Sequence, residues 1–158
     1  MIKTIWLLAC YLLLAVSCNK PAQEMEVAEP EYFVFGMAYG ECQGDCVTFF
    51  AIDNGLAYAD DMNYFYRNGE DIQLLASALP HDKYEQIRNL KNKLPDYLAK
   101  HTNQTFGCPD CHDQGLIYIE GLQNGQKVHW MIDTDVEKQP VEIRNYIAEL
   151  LTVFKQLK

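Results

Sequence analysis

Three Asn-Gly dipeptides, at residues 54–55, 68–69 and 124–125, set the terms on which this chain folds. A type I′ turn needs positive φ at both central residues, and Asn followed by Gly meets that demand at low steric cost. The segments beside these turns are rich in aromatic and β-branched residues: Tyr32–Tyr39, Cys46–Ile52, Leu56–Ala59, Tyr64–Tyr66, Leu116–Leu122 and Lys127–Ile132. They are expected to be strands, and LIYIEGLQNGQKVHWMID reads as a complete hairpin. Two helices interrupt the pattern. The first, His81–Leu94, sets Tyr84, Ile87, Leu90 and Leu94 near one face and stops at Pro95. The second has Pro140 suited to its first helical position, with Ile143, Tyr146, Ile147, Leu150, Leu151, Phe154 and Leu157 in one apolar stripe. Such a stripe must be buried, and a sheet is the available surface. The expected class is α+β: an antiparallel sheet built from hairpins, with one central and one C-terminal helix packed on it.

The N-terminus carries a different kind of signal. Lys3 precedes an apolar run from Ile5 to Val16, and small residues follow. That is the plan of a secretory signal peptide over residues 1–17. The run falls well short of the roughly 20 residues that a spanning helix needs. Leu14-Ala15-Val16-Ser17-Cys18 resembles the lipobox of bacterial lipoproteins, with Ala15 where Leu is more usual. The resemblance implies that the Cys18 thiol is diacylated, that cleavage falls just before it, and that the new amino terminus is acylated with a palmitate-type chain. Cys10 is a poorer cut point because apolar residues continue past it. Each buried methylene contributes about 0.8 kcal/mol, so two or three chains anchor a protein without any span. Residues 18–31 then form a lipidated cysteine and a disordered acidic tether, NKPAQEMEVAEPE beyond Cys18. Residues 32–158 form a single domain.

Charge removes one class of partner. The chain has 13 basic and 22 acidic residues, for a net charge of −9, and no basic stripe. Nucleic acid is therefore not expected as a partner, and an acidic surface gains nothing from anionic lipid. The membrane partner is engaged through the lipid anchor. Catalytic motifs are equally sparse. Once Ser17 leaves with the signal, Ser77 is the one serine, and G-x-S-x-G, Walker, G-x-G-x-x-G and H-E-x-x-H patterns do not occur. Asp60-Asp61 and Asp133-Thr-Asp135 are carboxylates near strand ends. They could bind a cation, but solvated turn acids are the expected reading. No catalytic residue is assigned.

Cysteine usage carries the chemistry that remains. Without Cys10 and the lipidated Cys18, four cysteines stand in two tight pairs, Cys42-Gln-Gly-Asp-Cys46 and Cys108-Pro-Asp-Cys111. An even number in an exported protein points to disulfides. A bridge between the two motifs closes a long loop and stabilises by about 4 kcal/mol in the chain-entropy treatment, so two cross-links between the motifs are the preferred pairing. Pairing within each motif stays open. Four thiolates at short spacings also suit structural zinc, although such sites belong mostly to reducing compartments. Cys108-Pro-Asp-Cys111-His112 matches the attachment pattern of a c-type haem. In that alternative His112 is the proximal ligand, and His129, Met131, His81, His101 and Met37 are candidates for the second. Asp113-Gln-Gly115 leads into a strand, whereas the haem motif normally opens onto a helix. A thioredoxin-like dithiol also wants a helix directly after the motif, to lower the thiol pKa.

FGMAYGECQGDCVTFFAI, followed far downstream by FGCPDCHDQGLIYIE, an Asn-Gly hairpin and a C-terminal helix, resembles a family of uncharacterised small bacterial lipoproteins of Bacteroidetes type, with GECxGxC and GCPDC motifs. The resemblance covers most of residues 32–157. It implies a small residue at the position of His112 in many members, hence structural cysteines and no haem. The expectation is thus a cell-envelope lipoprotein, non-enzymatic, whose disulfide-stabilised domain serves binding or envelope structure. A c-type haem or thiol redox protein is the alternative. Asn19 after the lipidated cysteine is not the Asp of inner-membrane retention, which favours the outer membrane.

Overall fold

The first strand of the domain, β1 (Tyr32–Ala38), lies inside the sheet rather than at its edge, and the other strands build outward from it. The computed structural model describes residues 31–40, 42–62 and 71–158. On one side β1 pairs with β2 (Val47–Asp53), and β2 with β3 (Leu56–Ala59). On the other it pairs with β5 (Leu116–Gln123), which pairs with β6 (Gln126–Asp133). A short outer strand, β4 (Gln104–Phe106), runs parallel to β6, and every other pairing is antiparallel. The six strands stand in the order β3-β2-β1-β5-β6-β4.

Both Asn-Gly turns among the described residues have the required backbone. Asn54 and Gly55 have φ of 49° and 80°, and Asn124 and Gly125 have 53° and 73°. These are the left-handed values that join right-twisted strands without splaying them. Asn68-Gly69 and the strand expected at Tyr64–Tyr66 lie outside the described residues.

The central helix, α1 (His81–Asn92), buries Ile87 and Leu90 and stops short of Pro95. Pro95 then caps a five-residue helix, α2 (Asp96–Lys100), for which the sequence shows no periodic stripe. Buried Trp130 holds α2 to the sheet: its indole Nε1 donates to the Leu98 and His101 carbonyls at 3.1 and 2.9 Å. The Leu98 carbonyl also accepts from the His101 N–H at 2.9 Å, which closes the end of the helix. After a turn of 3₁₀ helix (Val136–Lys138), α3 (Val141–Leu157) buries Ile143, Tyr146, Ile147, Leu150 and Phe154. Pro140 stands at the N-cap of α3, one place earlier than expected. Each fully buried large apolar side chain contributes about 2 kcal/mol, so this stripe secures α3 to the sheet.

Both faces of the sheet are covered. Phe33, Phe35, Phe50, Ile117, Ile119 and Trp130 face the helices. Val34, Phe49, Ala51 and Tyr118 face the other way, with Met62, Ile72 and Leu74 packed among them. On this second face Gly36 sits in register between Phe49 and Tyr118, whose ring centroids stand 5.5 Å apart across it. A Cβ at position 36 would run into the Thr48 carbonyl and lie 2.6 Å from Cδ1 of Phe49. The missing side chain is what lets the two rings approach. Gly36→Ala is therefore expected to lose about 2 kcal/mol of stability, the usual cost of overpacking, read as a lower urea midpoint. An unchanged midpoint would show that the strands shift to accommodate the methyl.

Candidate functional site

The register of the central strands decides where the cysteines go. Ala38 pairs with both Val47 and Leu116, and Leu116 pairs with Asp133. The β1–β2 loop, the loop before β5 and the segment after β6 therefore leave the sheet at the same end. The first loop carries Cys42 and Cys46, and the second carries Cys108, Cys111 and His112. The motifs come together, but not through sulfur. Cys42 is bonded to Cys46 and Cys108 to Cys111, each pair with Cα atoms 5.6 Å apart. The two cross-links expected between the motifs are thus replaced by two local ones. The entropic advantage of a long loop belongs to the unfolded chain, whereas pairing is settled by which Cα atoms the fold holds within reach. Here the turn itself sets the distance: Asp110 has φ of 57°, and the Cys111 N–H donates back to the Cys108 carbonyl at 3.3 Å.

Asp110 also makes the connection that a disulfide was expected to make. One carboxylate oxygen accepts from the Gly40 N–H in the first loop, and the other accepts from the Gly115 N–H at 2.8 Å. Gly115, at φ of 78°, lies against the Tyr39 ring, and a Cβ there would clash with it. Beneath the turn sits Asp133, only 8% exposed. It accepts from the Cys108 N–H at 3.1 Å and the Asp135 N–H at 3.0 Å, and Gln114 Nε2 adds a bond to the Cys108 carbonyl at 3.0 Å. Hydrogen bonding from the Asp135 N–H, then from the Cys108 N–H and Gln114, holds the Asp133 carboxyl below its ordinary pKa, against the opposing effect of burial. Asp133 is therefore an internal organiser and not the solvated turn acid expected from its position. Asp60 departs from that expectation too. It is half-buried and accepts from the Phe49 N–H at 2.6 Å and the Met62 N–H at 3.0 Å, and desolvation raises its pKa.

His112 is exposed, with its backbone N–H on the Gln114 side chain at 2.7 Å. It edges a cleft of about 310 Å³ whose other walls are Gln114, Asp133, Thr134, Asp135 and Lys138. Lys138 is already paired with Asp135 at 2.9 Å. The other haem-ligand candidates are spread through the fold. Met37 packs in the helix-side core, His81 opens α1, and His101 stacks on Tyr97 with ring centroids 4.2 Å apart. His129 stacks on Tyr118 at 6.1 Å, and Met131 packs on the second face. Among the described residues no three His, Cys, Asp or Glu side chains gather as a metal would need. Cys18 lies outside the described residues.

One polar cluster has no counterpart in the sequence reading. Glu120, 7% exposed in the middle of β5, accepts from the Tyr32 and Tyr118 hydroxyls, the latter at 2.7 Å. Lys127 approaches it at 3.5 Å, with its ammonium 5.0 Å above the Tyr32 ring. The clue was a lone carboxylate within an apolar strand, LIYIEGL. A buried charge must be paired and hydrogen-bonded, and Glu120 is both.

No family model matches the chain, and no curated protein or solved structure matches it.

The low pKa of Asp133 fixes the sign of its pH effect. A carboxyl whose folded pKa lies below the unfolded value, about 3.9, stabilises above that value and loses its contribution as pH falls through the folded pKa. Asp133→Asn is therefore expected to flatten the acid limb of the stability profile below about pH 4. At neutral pH it is expected to cost about 1–3 kcal/mol, because an amide nitrogen cannot accept from the backbone. An acid limb identical to that of the unaltered chain would show that Asp133 does not hold the loop.

Proposed function

We propose that the chain is a lipid-anchored domain of the cell envelope, acylated at Cys18, that serves binding or envelope structure rather than catalysis. The observation that carries this reading is the end of the sheet at which the chain enters the described domain. Tyr32 pairs with Asp53, and the Asn54 N–H donates to the Glu31 carbonyl at 2.9 Å. The Glu31 side chain accepts from the Tyr84 hydroxyl at 2.9 Å and pairs with Lys91 at 3.6 Å. The chain therefore enters the domain at the Asn-Gly-turn end of the sheet. The cysteine loops lie at the opposite end of β1, roughly 23 Å away at about 3.3 Å per residue. A tether from Cys18 to Glu31 puts the Asn-Gly turns toward the membrane and the stapled loops away from it.

That orientation gives the disulfides a purpose. Loops directed away from the bilayer are the part of an anchored domain that meets partners, and the Cys42–Cys46 staple with the Asp110 and Asp133 bonds keeps their shape fixed. A surface that is already ordered binds without the entropic cost of ordering it. No helix among the described residues is long and apolar enough to cross a membrane. Asn19 after the acylated cysteine favours the outer membrane. The sulfurs of Cys108 and Cys111 are bonded to each other in this reading and are not thioethers to a haem ligated by His112.

Expression with Cys18→Ala in a bacterium with lipoprotein-processing and cytochrome-maturation machinery tests this. The unaltered chain is expected in the membrane fraction, with the mass of an acylated chain beginning at Cys18 and no Soret band. The variant is expected to lose acylation and leave the processed membrane pool. A variant that behaves like the unaltered chain would overturn the anchor, and a Soret band resistant to acid-acetone extraction would overturn the non-haem reading.

A further inference from the structure

The structure gives the two disulfides unequal roles: we infer that Cys108–Cys111 is an exchangeable dithiol–disulfide couple, reduced by a protein dithiol, while Cys42–Cys46 is a fixed staple. The inference stands without the lipid anchor.

Its basis is that the Cys108–Cys111 turn keeps its shape without the sulfur bond. Asp110 binds the Gly115 and Gly40 N–H groups through its carboxylate, and its own N–H donates to the Gly115 carbonyl at 3.2 Å. The Cys108 N–H is held by Asp133, its carbonyl by both Gln114 and the Cys111 N–H. These bonds span the whole turn and fix the two Cα atoms at their separation of 5.6 Å. One backbone thus serves both oxidation states, and opening the bond leaves two thiols facing each other. Both cysteines are exposed, so an attacking thiolate can reach them. In the other bridge Cys42 is exposed but Cys46 is 4% exposed, so a thiolate has one sulfur to attack instead of two and the leaving sulfur is buried.

The surroundings also set the direction of attack. Asp110 and Asp113 flank Cys111 in sequence, Asp133 lies under Cys108, and the motif leads into β5 rather than into a helix. No helix N-terminus follows the motif to activate either of its own sulfurs as a thiolate. The nucleophile must come from the partner. A thiolate of the partner dithiol attacks one sulfur of the Cys108–Cys111 bond, which breaks as a mixed disulfide forms, and the departing thiolate takes a proton from solvent. The partner's second thiol gives its proton to solvent and attacks the mixed disulfide. The mixed disulfide breaks, the second cysteine departs as a thiolate and takes a proton from solvent, the partner leaves as a disulfide, and Cys108 and Cys111 remain as thiols, reduced by two electrons.

The test uses the exported chain with a thioredoxin as the protein dithiol. Free thiols are alkylated at intervals and located by peptide mass. Cys108 and Cys111 are expected to be labelled at least tenfold faster than Cys42 and Cys46, with amide protection over residues 107–115 retained after reduction. A thioredoxin whose resolving cysteine is replaced by alanine is expected to be trapped as a mixed disulfide with Cys108 or Cys111 of the unaltered chain, and not with Cys42 or Cys46. Asp110→Ala, which removes the frame, is expected to lose protection over 107–115 on reduction. Equal or slower labelling of Cys108 and Cys111, or loss of protection on reduction of the unaltered chain, would overturn the inference.

Discussion

The pairing of β1 with β5 is the constraint on which the rest of the structure depends. It runs from Phe33 opposite Gly121 to Ala38 opposite Leu116, joining segments far apart in sequence. It makes the first strand of the domain an interior strand, flanked on its other side by β2. A one-residue slip would exchange Phe33 and Phe35, which face the helices, with Val34 and Gly36, which face away. The same slip would separate Gly36 from Tyr118, and Asp110 from Gly40. Closing so long a loop is an entropic cost that local contacts cannot offset, so the pairing is expected to form late.

Much of the fold was legible because its signals are local. Positive φ at an Asn-Gly pair, aromatic and β-branched enrichment along LIYIEGL and a 3.6-residue stripe in α3 each depend on residues close in sequence. The elements that escaped are those that tertiary contacts create. β4 has three residues, with Phe106 alone buried, and exists because β6 offers it an edge. α2 has five residues, and the Trp130 indole on β6 holds the Leu98 and His101 carbonyls at its end. Neither carries a periodic pattern that a sequence could display.

The site divides in the same way. Grouping the cysteines into two motifs was legible, whereas their pairing depended on distances that no spacing encodes. Loop entropy argued for bridges between the motifs. The left-handed Asp110 turn closed Cys108 onto Cys111 instead, and left the inter-loop connection to a carboxylate. Asp133 looked like a turn acid in the sequence because nothing local shows that the Cys108 backbone lies above it. Glu120 was visible as an anomaly, yet its partners Tyr32 and Lys127 come from two other strands.

Local closure of both cysteine motifs, side by side at one end of the sheet, is the point from which the stapled surface and the exchangeable couple both follow. Proteolysis of the exported chain between residues 46 and 108 under non-reducing conditions, with mass analysis of the fragments, tests it most directly. The expected result is separate peptides, one containing Cys42 and Cys46 and the other Cys108 and Cys111, each gaining two hydrogens on reduction. A single species holding cysteines from both motifs, and parting only on reduction, would contradict it.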